Sequence, residues 1–255
     1  MKHFWTIFSH EVRMLLVSPS TYIAASLFLA TMGFMFTEIL VRYSQAPQDA
    51  SPAILFFEYF WVPVMFMVPL LTMRCLAEER RLGTMETLLT TPVTTPEVVL
   101  GKYGAAYVLY LALWGATGGF FFILKAFAGA SSQLLDPGPL VGGYLFIAIS
   151  GLLFVALGVL ASALARNQAV AGFLCFFLLS GLIWGVNFLA RNPGWFDRET
   201  LHPIRAAVNY AWIFRHYEDF TRGVVDARQV LFYLSGTVLA LIFSILSVEA
   251  KQLQS

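Results

Sequence analysis

The sequence predicts an all-α integral membrane protein with six transmembrane helices, and three observations predict it. Only 12% of the 255 residues are charged while 58% are hydrophobic, where a soluble domain carries roughly 25% charged residues. The mean hydropathy is +0.73, which a soluble fold could not hide without a comparable polar shell. Six separate stretches reach the roughly 20 mostly apolar residues that a spanning helix needs: Tyr22–Val41, Ile54–Met73, Gly104–Phe127, Leu140–Leu164, Ala169–Ala190 and Val230–Val248. The formal net charge of +1 excludes a basic nucleic-acid-binding face. Without an internal repeat, residues 1–255 read as a single domain.

Met1–Ser18 comes first. Phe4, Phe8, Val12 and Leu15 recur at helical spacing, and Lys2, Ser9, Glu11 and Arg13 take other directions. This pattern predicts an amphipathic helix lying in the membrane interface. The charges interrupt the apolar run that a signal peptide would need. Ser18-Pro19-Ser20 then turns the chain into the first span. In the second span, Pro63 and Pro69 should kink the helix or loosen its hydrogen bonding.

Residues 74–102 form the most informative stretch. An abrupt cluster, Glu78-Glu79-Arg80-Arg81, follows an apolar span, and Glu78 and Arg81 have the spacing of an i, i+3 ion pair. Leu82, Met85 and Leu89 share one helical face, while Glu79, Glu86 and Thr90 share another. Thr91-Pro92-Val93 ends that helix. Thr94 and Glu97 have capping-box spacing, with Pro96 fitting a first helical turn. A connector need not be so defined; a surface on which another protein pushes should be.

The third, fourth and fifth spans follow. Gly115/Gly119 and Gly181/Gly185 have small-xxx-small spacing, which allows close helix packing within the bundle or, as a second reading, at a subunit interface. Arg166-Asn167-Gln168 is a tight polar turn between spans four and five. Residues 191–228 mix aromatic and charged residues ahead of the sixth span, as interfacial structure does. His202 and His216 lie there, fourteen apart, a weak signal for metal. Cys75 and Cys175 show neither a CxxC pair nor zinc spacing and read as packing residues. No metal site is expected.

Ionisable residues are sparse in the spans. The last three spans hold none, whereas carriers and pumps keep such groups near mid-membrane. Glu38, Arg42, Glu58 and Lys125 gather toward one membrane edge, as ordinary interfacial charges or as a polar gate at the outer end of a pathway. Phosphate-loop, HExxH and Gly-x-Ser-x-Gly motifs are absent, so no catalytic residue is expected. With the N-terminus inside, Lys and Arg count eight against eight across the membrane, which leaves orientation undecided.

Glu78-Glu79-Arg80-Arg81-Leu82-Gly83-Thr84-Met85-Glu86-Thr87-Leu88-Leu89, then Thr91-Pro92-Val93, then Glu97-Val98-Val99-Leu100-Gly101-Lys102, resembles the ABC-2 type transporter permease signature. Phe220-x-x-Gly223-Val224-Val225-Asp226 looks like the branch of gliding-motility permeases and of nitrous-oxide-reductase maturation permeases. The resemblance implies a multi-pass protein of the inner, cytoplasmic membrane with both termini cytoplasmic, an interfacial N-terminal helix, a cytoplasmic coupling helix and an outer re-entrant or interfacial segment. It implies two such permeases, as a homo- or heterodimer, working with separate ATPase subunits that hold the ATP and Mg. It places ATPase contact on Glu78, Glu79, Arg80, Arg81, Gly83 and Glu86. The expected function is the permease subunit of an ATP-driven exporter with no cofactor of its own. The alternatives are an ATP-driven mechanical, envelope-remodelling module and a membrane-embedded enzyme.

Overall fold

The computed structural model describes residues 2–45, 51–82, 94–128, 136–192 and 202–252, and within them every regular element is helical. Helix α1 (Lys2–Val17) turns a face of Phe4, Ile7, Phe8, Glu11, Val12 and Leu15 inward and leaves Trp5, Met14 and Val17 exposed. Ser18 interrupts it, and α2 (Pro19–Gln45) starts at the proline, whose missing N–H has no partner to lose at a first helical position. Along α2, Thr21, Ala24, Phe28, Met32, Phe36 and Ile39 are buried at three- and four-residue steps. Its other side exposes Tyr22, Ile23, Leu27 and Phe34, apolar residues suited to lipid.

The segment read as the second span is two helices, α3 (Pro52–Glu58) and α4 (Trp61–Thr72), bent by 49°. The break falls at Tyr59-Phe60, one turn ahead of the proline that causes it. Pro63 offers no N–H to the Tyr59 carbonyl and its ring displaces that carbonyl; the Val62 N–H takes it instead at 3.1 Å. Pro69, by contrast, sits inside α4 without ending it. A turn then leads into the short helix α5 (Ala77–Leu82).

Thr94 opens α6 (Thr95–Ala116), and the Glu97 carboxylate accepts the Thr94 N–H at 3.3 Å, the return half of a capping box. Helix α7 (Gly118–Ala128) continues it after a one-residue break at Thr117, whose hydroxyl is shared between the Trp114 carbonyl at 2.6 Å and the Tyr144 hydroxyl at 2.9 Å. Helix α8 (Pro137–Leu164) is capped by Asp136 and is the most buried of the long helices. Asn167 caps α9 (Gln168–Ser180), receiving the Val170 N–H at 2.9 Å and closing the polar turn after α8. A π-helical turn, Gly181–Gly185, joins α9 to α10 (Val186–Arg191). Then come α11 (His202–Tyr210), α12 (Ile213–Thr221) and α13 (Ala227–Gln252). Five of these helical segments, or six if the bent α3–α4 pair is one span, are long and apolar enough to cross a membrane.

Helix α8 is the column on which the others seat. A Cβ at Gly142 would lie 2.1 Å from the Phe220 carbonyl oxygen of α12. At Gly143 it would meet the Phe57 ring of α3 at 2.1 Å, at Gly151 the Tyr110 ring of α6 at 2.3 Å, and at Gly158 the Thr72 hydroxyl of α4 at 2.3 Å. Four elements therefore dock in four notches, the close approach that small residues permit between apolar helices. Tyr103 and Tyr107 of α6 add hydrogen bonds to α8, donating to the carbonyls of Leu152 at 3.2 Å and Ala148 at 2.8 Å. The pairs Gly115/Gly119 and Gly181/Gly185 behave otherwise. A Cβ on any of them meets nothing within 4 Å, so they are not helix contacts within this bundle: their faces turn outward.

Candidate functional site

At the α1 end of the bundle, three elements meet on one lysine. Lys102 lies on the buried face of α6 with Val98, Val99, Ala105 and Ala106, and only 4% of it is exposed. Its ammonium pairs with Glu79 of α5 at 2.7 Å and with Glu11 of α1 at closer range. Glu11, read from the sequence as part of a polar face, turns inward because it follows Ile7 by one helical turn. Ile7 packs so tightly on Gly101 that a Cβ there would stand 2.9 Å away, and Phe8 covers Gly104 in the same way at 3.2 Å. A lysine this deep costs several kcal/mol of lost hydration unless paired; two carboxylates supply the pairing.

The turn before α5 is equally fixed. Ser162, near the end of α8, accepts the N–H groups of Leu76 and Ala77, each at 3.0 Å, and donates to the Met73 carbonyl at 3.3 Å. Ala77 is buried with Ala165 and Ala171 at the α8–α9 turn. Arg74 donates to the Ser18 hydroxyl at 2.9 Å and lies 4.0 Å from Glu78. Glu78 thus pairs back to Arg74 rather than forward to Arg81, which is exposed. Burial pushes the Cys75 thiol in this turn up to about 12, which leaves it a protonated packing group.

Of the residues the sequence assigned to ATPase contact, Glu78 and Glu79 are half-buried and engaged in the joint, and Arg80 lies within α5. Gly83 and Glu86 lie outside the described residues, as do Met85 and Leu89. Lys102, Glu11 and Ser162 were not singled out as site residues. One signal could have found Lys102: it falls at i+4 from Val98 and i+3 from Val99, on the apolar face of its helix.

The opposite end is built mainly of rings and local hydrogen bonds. The α3–α4 break and the π turn face each other there. Trp61 packs edge-on against Trp184 with centroids 4.7 Å apart, and Phe214 of α12 touches Trp184 at 5.9 Å and Phe60 at 5.8 Å. The Trp212 indole donates to Asn187 at 3.0 Å, and the Tyr217 hydroxyl donates to the Ile54 carbonyl. Gly223, at φ 79°, ends α12 in a left-handed turn in which the Val224 N–H returns to the Asp219 carbonyl at 2.9 Å. Asp226 then accepts the Arg228 N–H at 2.9 Å as α13 begins. The Phe220–Asp226 motif is accordingly a helix stop followed by a helix start.

His216 has both ring nitrogens engaged, Nε2 with the Tyr210 carbonyl and Nδ1 with the Tyr233 hydroxyl, each at 3.0 Å. A carbonyl can only accept, so Nε2 carries the proton and Nδ1 receives the tyrosine. No lone pair is left for a metal, and no metal-binding cluster occurs among the described residues. Burial holds this imidazole below the ordinary histidine range. Glu38, Arg42, Glu58 and Lys125 are all exposed, and among the described residues no ion pair joins any two of them.

A helical bundle with five or six helices long and apolar enough to cross a membrane defines a multi-pass membrane protein. The family described as ABC-2 family transporter protein matches residues 5–248, and the chain belongs to it. Among curated proteins, the probable multidrug ABC transporter permease YbhR of Escherichia coli (strain K12) is 30% identical over 162 residues, 62% of this chain and 39% of that protein. The protein of the same name in Escherichia coli O157:H7 matches equally. The match therefore spans about two-fifths of the length of those relatives.

Proposed function

We propose that this chain is the permease subunit of an ATP-driven exporter, powered by a separate ATPase subunit that docks at α5 and the residues after it. The observation that carries this reading is the mounting of α5. Its first turn is hydrogen-bonded to α8 through Ser162, and Glu79 is ion-paired to α6 and α1. A push on this short helix reaches three long elements through short, directional contacts. In this reading the α1 end, both termini and the ATPase are cytoplasmic, and residues 191–228 lie on the outer side. Two permease copies complete the assembly, with ATP and Mg bound on the partner. An apolar, drug-like cargo is the class in keeping with relatives named as multidrug permeases.

Two measurements test the reading. Purified with the products of its neighbouring genes, the chain should retain an ATPase subunit, whereas the chain alone should hydrolyse no ATP above background. Single cysteines at Arg198 and Gln254 should label from outside and from inside respectively. The native thiols will not interfere, since Cys75 and Cys175 are both buried. Robust hydrolysis by this chain alone, or external labelling at Gln254 without labelling at Arg198, overturns the assignment.

A further inference from the structure

The joint around Lys102 holds one cation and two anions, and its two arms are built differently. The Glu11 arm is locked by packing, since α1 lies against α6 at Gly101 and Gly104 with the side chains of Ile7 and Phe8 in van der Waals contact. The Glu79 arm is mounted differently. Helix α5 is six residues long, and its Ala77 is buried with Ala165 and Ala171 at the α8–α9 turn. Glu79 reaches Lys102 by its side chain from this short element, whose first turn is hydrogen-bonded to Ser162.

We infer that Lys102 is a releasable clasp, in which Glu11 keeps the lysine neutralised while Glu79 leaves it when the ATPase displaces α5. The charge count is the reason. In a simple buried pair, withdrawing one partner strands the other charge, which is strongly disfavoured. Here, withdrawing Glu79 into water turns a site of net −1 into a neutral Lys102–Glu11 pair. The second carboxylate makes the joint strong when closed without stranding a charge when open. Glu79 and Lys102 are accordingly positioning residues for α5, and Glu11 is the standing counter-ion. This inference rests on the permease reading given above.

The test uses the permease–ATPase complex with Cys75 and Cys175 replaced by alanine and spin labels at Ser9 of α1 and Arg81 of α5, both exposed. Distances are read without nucleotide and after trapping with Mg, ATP and vanadate. The unsubstituted clasp should show a longer Ser9–Arg81 distance in the trapped state. Glu79→Gln should already show that longer distance without nucleotide and should lose stimulation of the ATPase by the permease. Glu11→Gln should keep the short resting distance, and Glu79→Asp should restore the nucleotide-dependent shift. A distance that does not change on trapping, or a Glu79→Gln variant that rests at the short distance, overturns the clasp while leaving the permease reading intact. Failure of any ATPase to co-purify overturns both.

Discussion

Around Lys102 the bundle is closed by three charges and a serine hydroxyl; around Phe214 it is closed by rings. The first arrangement is sparse and directional. Each contact fixes a position, and losing the shared lysine strands both carboxylates at a large penalty. The second is broad and non-directional. Trp61, Trp184, Phe60 and Phe214 share contacts at centroid distances of 4.7–5.9 Å, and aromatic pairs are worth about 0.5–1.5 kcal/mol apiece beyond burial. Rings can slide and re-pack where charges must hold or let go. On the proposed reading, the end that receives force is the one suited to transmit displacement. The end with a 49° break and a π turn is then the one suited to absorb it.

The largest effect should come from Lys102→Met. It leaves Glu11 and Glu79 facing each other without a cation, at an expected cost of about 3–5 kcal/mol, seen as a large drop in the thermal midpoint in detergent. A midpoint close to the parent's would break the comparison at its charged side. Gly142→Ala strikes the other end, where the added methyl group meets the backbone oxygen of Phe220 and cannot be met by a rotamer change. Overpacking of this kind costs about 1–3 kcal/mol, and proteolysis should rise first between α11 and α13. Ser162→Ala leaves the Leu76 and Ala77 N–H groups without their acceptor, for about 1–3 kcal/mol. It should loosen α5 in hydrogen exchange while α12 stays protected.

A milder effect concerns pH. Burial favours neutral His216 in the folded state, so the unfolded chain takes up a proton that the folded chain resists. Stability should be full above the ordinary histidine range, fall as pH drops through it, and level off once the folded ring is also protonated. Melting curves across pH 5 to 8 should show this slope in the parent and a reduced one in His216→Gln. At the bottom of the scale, Glu38→Gln and Lys125→Gln should move the midpoint by no more than about 0.5 kcal/mol equivalent, as exposed substitutions do. A larger loss would mean that these charges meet across the outer edge and would sharpen the gate reading.

Much of the local structure could be read from residue order alone. The α1 stripe, the chain turn at Pro19, the Thr94–Glu97 start of α6 and the polar turn at Asn167 are set by contacts within a few residues. What escaped depends on partners far along the chain. Spacing shows that Gly115 and Gly119 share a face but not which way that face points, and it points away from the bundle. The glycines of α8 that receive neighbours are spread through an apolar helix with no polar side to mark the inward direction. The kink from Pro63 was legible, but its site was shifted by one turn because a proline disrupts the carbonyl four residues before it. Lys102 looked like the closing residue of a motif, and its role emerged only with Glu11, ninety-one residues away.

A ribosome delivers Phe57, Thr72 and Tyr110 to the membrane well before it makes the helix that receives them. Until residues 142–158 arrive, the ring of Phe57, the hydroxyl of Thr72 and the ring of Tyr110 lack the glycine notches that receive them. The early spans can already meet one another through Phe28 and Trp114 and through Phe36, Phe56 and Phe121, but they lack the helix that seats them all. Insertion is therefore sequential, but packing is completed late: α3, α4 and α6 reach their notches only on the arrival of α8. A nascent chain stalled before Pro137 should hold its first spans in the bilayer, yet be more open to protease and to quality control than the finished bundle.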